Sequence, residues 1–370
     1  MKLTLVVGAR PNFMKISPII REIENINKVE KKIDYRLIHT GQHYDKMMSD
    51  DFFEQLQIPK PHLNLNCNGG SQSESTSCIM IEFEKELLLN KPDVVIVVGD
   101  VNSTMACAIV SKKLMITVAH IESGIRSFDR TMPEEINRLI TDSISDYFFT
   151  TSEFANNNLI KENIDENKIF FVGNTMIDCL INNLKNIQKP TDINLVPLIG
   201  NRFFLMTLHR PSNVDSLSKL ETLLTSIDNF VEDTPIIFPV HPRTRIKIEQ
   251  LNFNFKNIVL VDPQKYLEFI YLIKNSIGVI TDSGGISEET TFLNIPCLTL
   301  RDTTERPETV DFGSNVLIGD DLLKLENNIK LIIENKWKLG STPKLWDGLT
   351  SKRIVQHLLD IHKNNIDQQL

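Results

Sequence analysis

No apolar run in this chain of 370 residues approaches the roughly 20 residues of a membrane-spanning helix. The first, Leu3-Thr4-Leu5-Val6-Val7, is also too short for a secretory signal, so a cytoplasmic protein that does not engage membranes is expected. No cysteine pair has C-x-x-C spacing. Cys67, Cys78, Cys107, Cys179 and Cys297 are scattered, and their odd number suits a reducing compartment; they read as reduced, mostly buried thiols. Positive charge is not in excess either. With 40 basic and 48 acidic residues the net charge is −8, which argues against an electrostatic nucleic-acid binder. Any phosphate must then be held by a few placed residues.

Two nucleotide signatures are absent as well. Between the first apolar run and the next helical pattern Gly8 is the only glycine and Arg10 intrudes, so the G-x-G-x-x-G of a dinucleotide enzyme is missing and no nicotinamide cofactor is expected. There is no G-x-x-x-x-G-K followed by Ser or Thr, so P-loop phosphoryl transfer has no support. Of the histidines at 39, 43, 120, 209 and 241, only His39 and His43 are four apart, and they straddle a Thr-Gly turn. No metal site is expected.

What is present is a rhythm. Short β-branched runs at 3–7, 35–39, 94–98, 117–121, 147–150 and 169–172 are each followed by a helical pattern, the alternation of a doubly wound parallel sheet. The rhythm pauses at Lys189-Pro190-Thr191-Asp192, a polar break, and resumes with strands at 203–208, 236–240, 258–261, 279–281 and 297–300. This predicts an α/β protein of two Rossmann-like domains facing a cleft, residues 1–188 and 189–351. A helix at 352–370 is expected to pack back on the first domain.

Ligands of such sheets bind beyond the carboxyl ends of the strands. There the chain is conspicuously polar. The richest segment is Thr281-Asp282-Ser283-Gly284-Gly285-Ile286-Ser287-Glu288-Glu289, a strand running into a Ser-Gly-Gly turn and a helix. Glycines admit a ligand close to the backbone, and the uncapped N–H groups of a first helical turn favour an anion. An ordinary capped turn would have the same composition. Asp100, Glu122 and the pair Glu134/Glu135 are carboxylates at or near strand ends of the first domain, suited to acid/base work if their environments push their pKa values apart. For one of Glu134 and Glu135, just after Pro133, dipole compensation in a first helical turn is the expected role. Arg10, Lys15, Arg138 and Arg210 are cations able to hold a diphosphate, with His209 and His241 as further donors. Together these groups suggest a nucleotide sugar.

The ordered set Gly8-x-Arg10-Pro11-x-x-x-Lys15, Thr40-Gly41-Gln42-His43, Gly99-Asp100, His120-x-Glu122-x-Gly124-x-Arg126, Pro133-Glu134-Glu135-x-Asn137-Arg138, Gly173-Asn174-Thr175-x-Ile177-Asp178, Pro239-Val240-His241-Pro242, Thr281-Asp282-Ser283-Gly284-Gly285 and Arg301 to Glu308 resembles the non-hydrolysing UDP-N-acetylglucosamine 2-epimerases. The resemblance spans nearly the whole chain. It implies a fold of the glycosyltransferase-B type, usually a homodimer, that interconverts UDP-N-acetylglucosamine and UDP-N-acetylmannosamine without metal or cofactor. The sugar C2 proton has no neighbouring carbonyl to acidify it, so elimination of UDP to a 2-acetamidoglucal, then re-addition, is the expected route. Asp100, Glu122 and Glu134 are the expected acid/base set, with Arg10, His209 and the 283–285 turn supporting the leaving group. The resemblance further implies an active-site lysine at Lys15, a ribose ligand at Glu289, phosphate contacts at Ser283, Gly284 and Gly285, and assistance from His241 and Arg138.

Three departures bear on substrate. Asn12-Phe13, Tyr44 and Pro211-Ser212 stand where the commoner bacterial members have Glu-Ala, Arg and Arg-Glu. A related branch acts on other UDP-2-acetamido sugars, including diacetamido uronates and amino-deoxyhexoses, so the sugar stays open. Tyr44 and Pro211 also remove guanidinium contacts that some relatives use for a second substrate molecule, and single-site kinetics are expected. A glycosyltransferase of the same fold and a nucleotide-sugar sensor are the other readings; carboxylates crowded into one domain speak against both.

Overall fold

Strands form where β-branched runs are bracketed by turn residues, and those buried on both faces lie inside a sheet covered by helices. The computed structural model describes residues 1–42, 53, 56–192, 195, 198–251 and 253–367. They divide into two units, Met1–Asn182 with Lys344–Leu370, and Asn183–Pro343.

In the first unit the order is β1 (Lys2–Val7), α1 (Arg10–Val29), β2 (Asp34–His39), β3 (Leu63–Asn64), α2 (Gln72–Leu89), β4 (Val94–Val98), α3 (Asn102–Lys113), β5 (Thr117–Ile121), α4 (Pro133–Ile144), β6 (Tyr147–Thr150), α5 (Glu153–Lys161), β7 (Ile169–Phe171) and α6 (Thr175–Asn183). The seven strands pair in parallel in the order β3-β2-β1-β4-β5-β6-β7. The all-apolar run Val-Val-Ile-Val-Val of β4 is buried throughout and lies at the centre. The second unit runs β8 (Phe204–Thr207), α7 (Pro211–Val214), α8 (Leu217–Phe230), β9 (Ile236–Pro239), α9 (Pro242–Glu249), β10 (Ile258–Val261), α10 (Tyr266–Asn275), β11 (Gly278–Thr281), α11 (Gly284–Leu293), β12 (Cys297–Thr299), α12 (Pro307–Asp311), β13 (Asn315–Leu317) and α13 (Leu322–Ile333). Its parallel sheet has the order β10-β9-β8-β11-β12-β13. In each sheet the strand order reverses once, at β1/β4 and at β8/β11. Successive connections there leave toward opposite faces, which opens a crevice at the strand ends.

The chain returns to the first unit before its last helix, α14 (Thr350–Asp367). Lys344 pairs with Glu153 at 2.8 Å, the Leu345 carbonyl packs where any side chain at Gly173 would collide with it, and Trp346 is buried. Asp178 accepts the N–H groups of Thr350 (3.1 Å) and Ser351 (2.7 Å) at the start of α14, which packs along α1. One expectation is corrected here. Cys67 and Cys78 are joined in a disulfide, with Cα atoms 5.6 Å apart, whereas Cys107, Cys179 and Cys297 are free and buried. The turn from β3 into α2 brings the pair together, and a separation of 11 residues carries no pattern that reveals it. Among the described residues no helix is long and apolar enough to cross a membrane.

Candidate active site

At the first switch point the β1 loop is tied to the end of β4 by one side chain. Asn12 accepts the N–H groups of Gly8 (3.3 Å) and Ala9 (2.9 Å) and donates to the Val98 carbonyl (3.1 Å). One of the departures noted above, Asn12, therefore has a structural task. One turn on, Lys15 forms an ion pair with Glu122, their side chains 12% and 2% exposed. Glu122 follows β5 with φ of +64°, a left-handed conformation that costs a non-glycine residue on the order of 1–3 kcal/mol and that clusters at functional sites. Gly99, also left-handed at +69°, lies under this pair: a Cβ there would be 3.3 Å from both the Glu122 Oε2 and the Lys15 Nζ.

The next residue, Asp100, is partly open, its side chain 31% exposed, and accepts from Arg138 at 2.5 Å. Arg138 also donates to Glu135 at 2.7 Å, and Asn137 donates to the Asp100 carbonyl at 2.9 Å. Glu135 in turn accepts the Ser127 N–H (2.9 Å), the Ser127 hydroxyl (3.0 Å) and the Phe128 N–H (3.0 Å). Burial opposes its ionisation, but these donors and Arg138 outweigh that and hold its carboxyl below the ordinary range. Glu135 thus fixes the 127–128 turn, while Glu134 beside it is exposed. Arg10 opens α1 and is half-buried. From the β2 end, Gln42 accepts the N–H (3.0 Å) and hydroxyl (2.7 Å) of Ser103. His43 and Tyr44 lie outside the described residues.

The second switch point is built around a residue to which sequence reasoning gave no role. Asp282, fully buried, accepts the backbone N–H groups of His209 (3.0 Å) and Arg210 (2.9 Å), the Asn213 amide (3.2 Å) and the His209 ring, whose Nδ1 lies 2.7 Å away. Burial works against the charge on Asp282, yet the His209 ring and the two N–H groups keep its carboxyl below the usual range. With Nδ1 held, the His209 ring, 58% exposed, presents Nε2 outward. α11 starts at Gly284, and the Ser283 hydroxyl does not cap it. The Thr281 hydroxyl takes the Ser283 N–H at 3.0 Å, and among the described residues a Cβ built on Gly285 would meet nothing within 4 Å, so the N–H groups of Gly284 and Gly285 can be approached. On α11, Glu289 is buried and accepts the Tyr266 hydroxyl at 3.1 Å, and Glu288 pairs with Arg306 at 2.5 Å. Arg301 and Glu305 form a two-pronged pair at 2.8 and 2.6 Å. His241 is exposed at the start of α9, its Nδ1 accepting the Arg243 N–H at 3.3 Å.

The structure therefore groups Lys15, Asp100, Glu122 and Arg138 in the first unit, and His209, Ser283, Gly284 and Gly285 in the second. The role of Asp282 depends on partners more than 70 residues away, which no local pattern announces. His39 is buried against Phe13, and burial pushes its imidazole down to about 4. Among the described residues no cluster of three or more His, Cys, Asp or Glu side chains is placed to hold a metal ion.

The sequence model of the UDP-N-acetylglucosamine 2-epimerase family matches residues 25–359. The chain belongs to this family. Among the family's curated members, the UDP-N-acetylglucosamine 2-epimerase of Methanocaldococcus jannaschii is 45% identical over 370 residues, covering 97% of this chain and 99% of that one. The UDP-2,3-diacetamido-2,3-dideoxy-D-glucuronate 2-epimerase of Pseudomonas aeruginosa is 40% identical over 322 residues, covering 86% of this chain and 88% of that one. The crystal structure of the M. jannaschii UDP-GlcNAc 2-epimerase in complex with UDP-GlcNAc and UDP superposes with a TM-score of 0.86, over 97% of this epimerase-family chain and 99% of that one. The fold is the two-domain α/β architecture of that family.

Proposed function

We propose that this protein is a non-hydrolysing 2-epimerase of UDP-N-acetylglucosamine that works by elimination and re-addition of UDP. The observation that carries the reading is the first-unit cluster. Asp100 and Glu122, each against one cation and one of them on strained backbone, stand at the switch point of a single sheet in a chain 45% identical to an enzyme of that name. In the forward direction a carboxylate takes the C2 proton, the C1–O bond breaks, and UDP leaves with the electron pair to give the 2-acetamidoglucal. A second acid then delivers a proton to the opposite face of C2, and a UDP oxygen re-forms the bond to C1. Asp100, Glu122 and Glu134 carry these protons, Lys15 and Arg138 set their charge, and C2 inverts with no net change of atoms.

The leaving diphosphate gains negative charge as the bond breaks. Arg10, the outward Nε2 of His209, the Ser283 hydroxyl and the N–H groups of Gly284 and Gly285 are suited to that charge. Glu289 accepts the ribose hydroxyls, with His241 near the nucleotide. A homodimer in the cytoplasm belongs to the same reading and rests on the family.

A second sugar is favoured by one observation, the 40% identity to a diacetamido-glucuronate 2-epimerase. Incubating the purified protein with each candidate UDP-2-acetamido sugar, without acceptor, and following the anomeric protons by NMR separates the cases. Conversion of UDP-N-acetylglucosamine to its manno epimer is expected. Conversion of the diacetamido uronate alone would move the substrate, and net hydrolysis or turnover that needs an acceptor would contradict the reaction.

A further inference from the structure

Behind the first-unit cluster runs a buried chain of charges that no step above uses. His120, on β5 and 0% exposed, has its Nε2 2.9 Å from the Gly99 carbonyl and its Nδ1 2.6 Å from Asp142 on α4. The ring thus spans a backbone carbonyl and a carboxylate. The other oxygen of Asp142 accepts the Gly124 N–H (3.0 Å) and the Arg126 guanidinium (2.7 Å). Arg126 continues to Glu162 at 2.8 and 2.5 Å and to the Ile125 carbonyl at 2.7 Å. Burial opposes the charge on Asp142, but His120, Arg126 and the Gly124 N–H hold its carboxyl below the usual range. Such a network is costly to bury unless every member is satisfied, and satisfied networks fix one geometry.

The ends of this network are the two turns that carry the carboxylates. Gly99, whose carbonyl His120 holds, immediately precedes Asp100. Gly124, whose N–H Asp142 holds, lies two residues after Glu122 and is itself left-handed at +75°, where a side chain would collide with the Ala155 carbonyl. An apolar residue at 120 could fill the same volume, but it would leave the Gly99 carbonyl and Asp142 without their donor. We propose that His120 is a positioning residue for the reaction: its two ring nitrogens link the Gly99 carbonyl to Asp142 and so hold the Asp100 and Glu122 turns at a fixed separation. This rests on the assignment of Asp100 and Glu122 as proton carriers. Acid and base on two faces of one carbon tolerate little slack, and a displacement near 1 Å can cost roughly 10²-fold in rate.

Two substitutions separate positioning from simple support. Each keeps one half of the link: His120→Asn can still donate to Asp142 but falls short of Gly99, and His120→Gln places an amide N–H where Nε2 stood but leaves Asp142 without its partner. The expected result for both variants is a kcat about 10²-fold lower, with KM and the calorimetric UDP affinity within about threefold of the parent. An unaffected kcat in either variant, or a loss carried by KM or UDP affinity, would overturn the proposal. Should neither variant fold, NMR of the parent with ¹⁵N-labelled histidine still decides: one buried imidazole with a downfield, slowly exchanging ring N–H signal from its bond to Asp142 is expected, and its absence refutes the geometry. A parent that interconverts no UDP-sugar contradicts the proposed function instead, and the ring-nitrogen signals remain readable in that case.

Discussion

At the first switch point the carboxylates are matched by cations, Lys15 on Glu122 and Arg138 on Asp100; at the second, the carboxylate Asp282 is buried beneath its turn, and backbone N–H groups and the His209 ring are presented. The two sheets share one topology, so the backbone alone does not decide what each crevice accepts. Side chains contributed by the loops decide it. Acid/base pairs need fixed protonation states, which a neighbouring cation supplies; an oxyanion needs donors already in place, which an uncapped helix start supplies.

The largest test of that contrast is a pair of substitutions in opposite units. Asp100→Asn or Glu122→Gln should lower kcat by about 10²–10⁴-fold while leaving UDP affinity by calorimetry nearly intact. Glu289→Ala should weaken UDP by about tenfold or more and act on kcat less. Equal effects on both quantities from either side would erase the division of labour.

Asp282→Asn tests the second turn from beneath. Without the charge, His209 loses its orienting partner, and a fall in kcat of about 10–10²-fold is expected. Stability supplies an independent reading. The folded-state carboxyl lies below its ordinary value, so its stabilisation is full above the unfolded pKa and lost as pH falls through the folded one. The variant should therefore unfold more easily in urea at pH 7, by about 1–3 kcal/mol, with the difference shrinking below about pH 4. A constant difference across pH would show that Asp282 acts through shape alone.

A smaller effect concerns Glu308, which sits in the second unit, 2% exposed, with no hydrogen-bond partner for either carboxyl oxygen among the described residues. Burial, offset in part by Arg306, pushes its carboxyl up to about 7. The sign is opposite to that of Asp282: the fold favours the protonated form, and stability declines as pH rises from the unfolded value toward 7. Glu308→Gln should be nearly neutral at pH 4 and raise stability by about 1–3 kcal/mol at pH 8, read from thermal or urea unfolding. A variant less stable at both values would mean that the charged form has a partner.

The all-apolar run 94–98 and its neighbours identify themselves in sequence because buried parallel strands need no polar face, and the polar residues just beyond them mark the strand ends. β3, two residues long, is too short to leave a pattern. The Cys67–Cys78 bond, the cap of Asp178 on α14 and the seat of Asp282 under His209 are likewise silent, since each joins residues that only the completed fold brings together. Position at a strand end can be read from one segment of chain. Pairing at that position cannot: Lys15 meets Glu122 across 107 residues and Arg138 meets Asp100 across 38.

The central claim is that the first unit exchanges the C2 proton while UDP is off the sugar. Turnover in deuterated water, stopped before equilibrium and read by NMR, tests it directly. Deuterium at C2 of the epimeric product, accumulating in recovered substrate as turnover proceeds, is the predicted result. Product that retains only hydrogen at C2 would contradict the account.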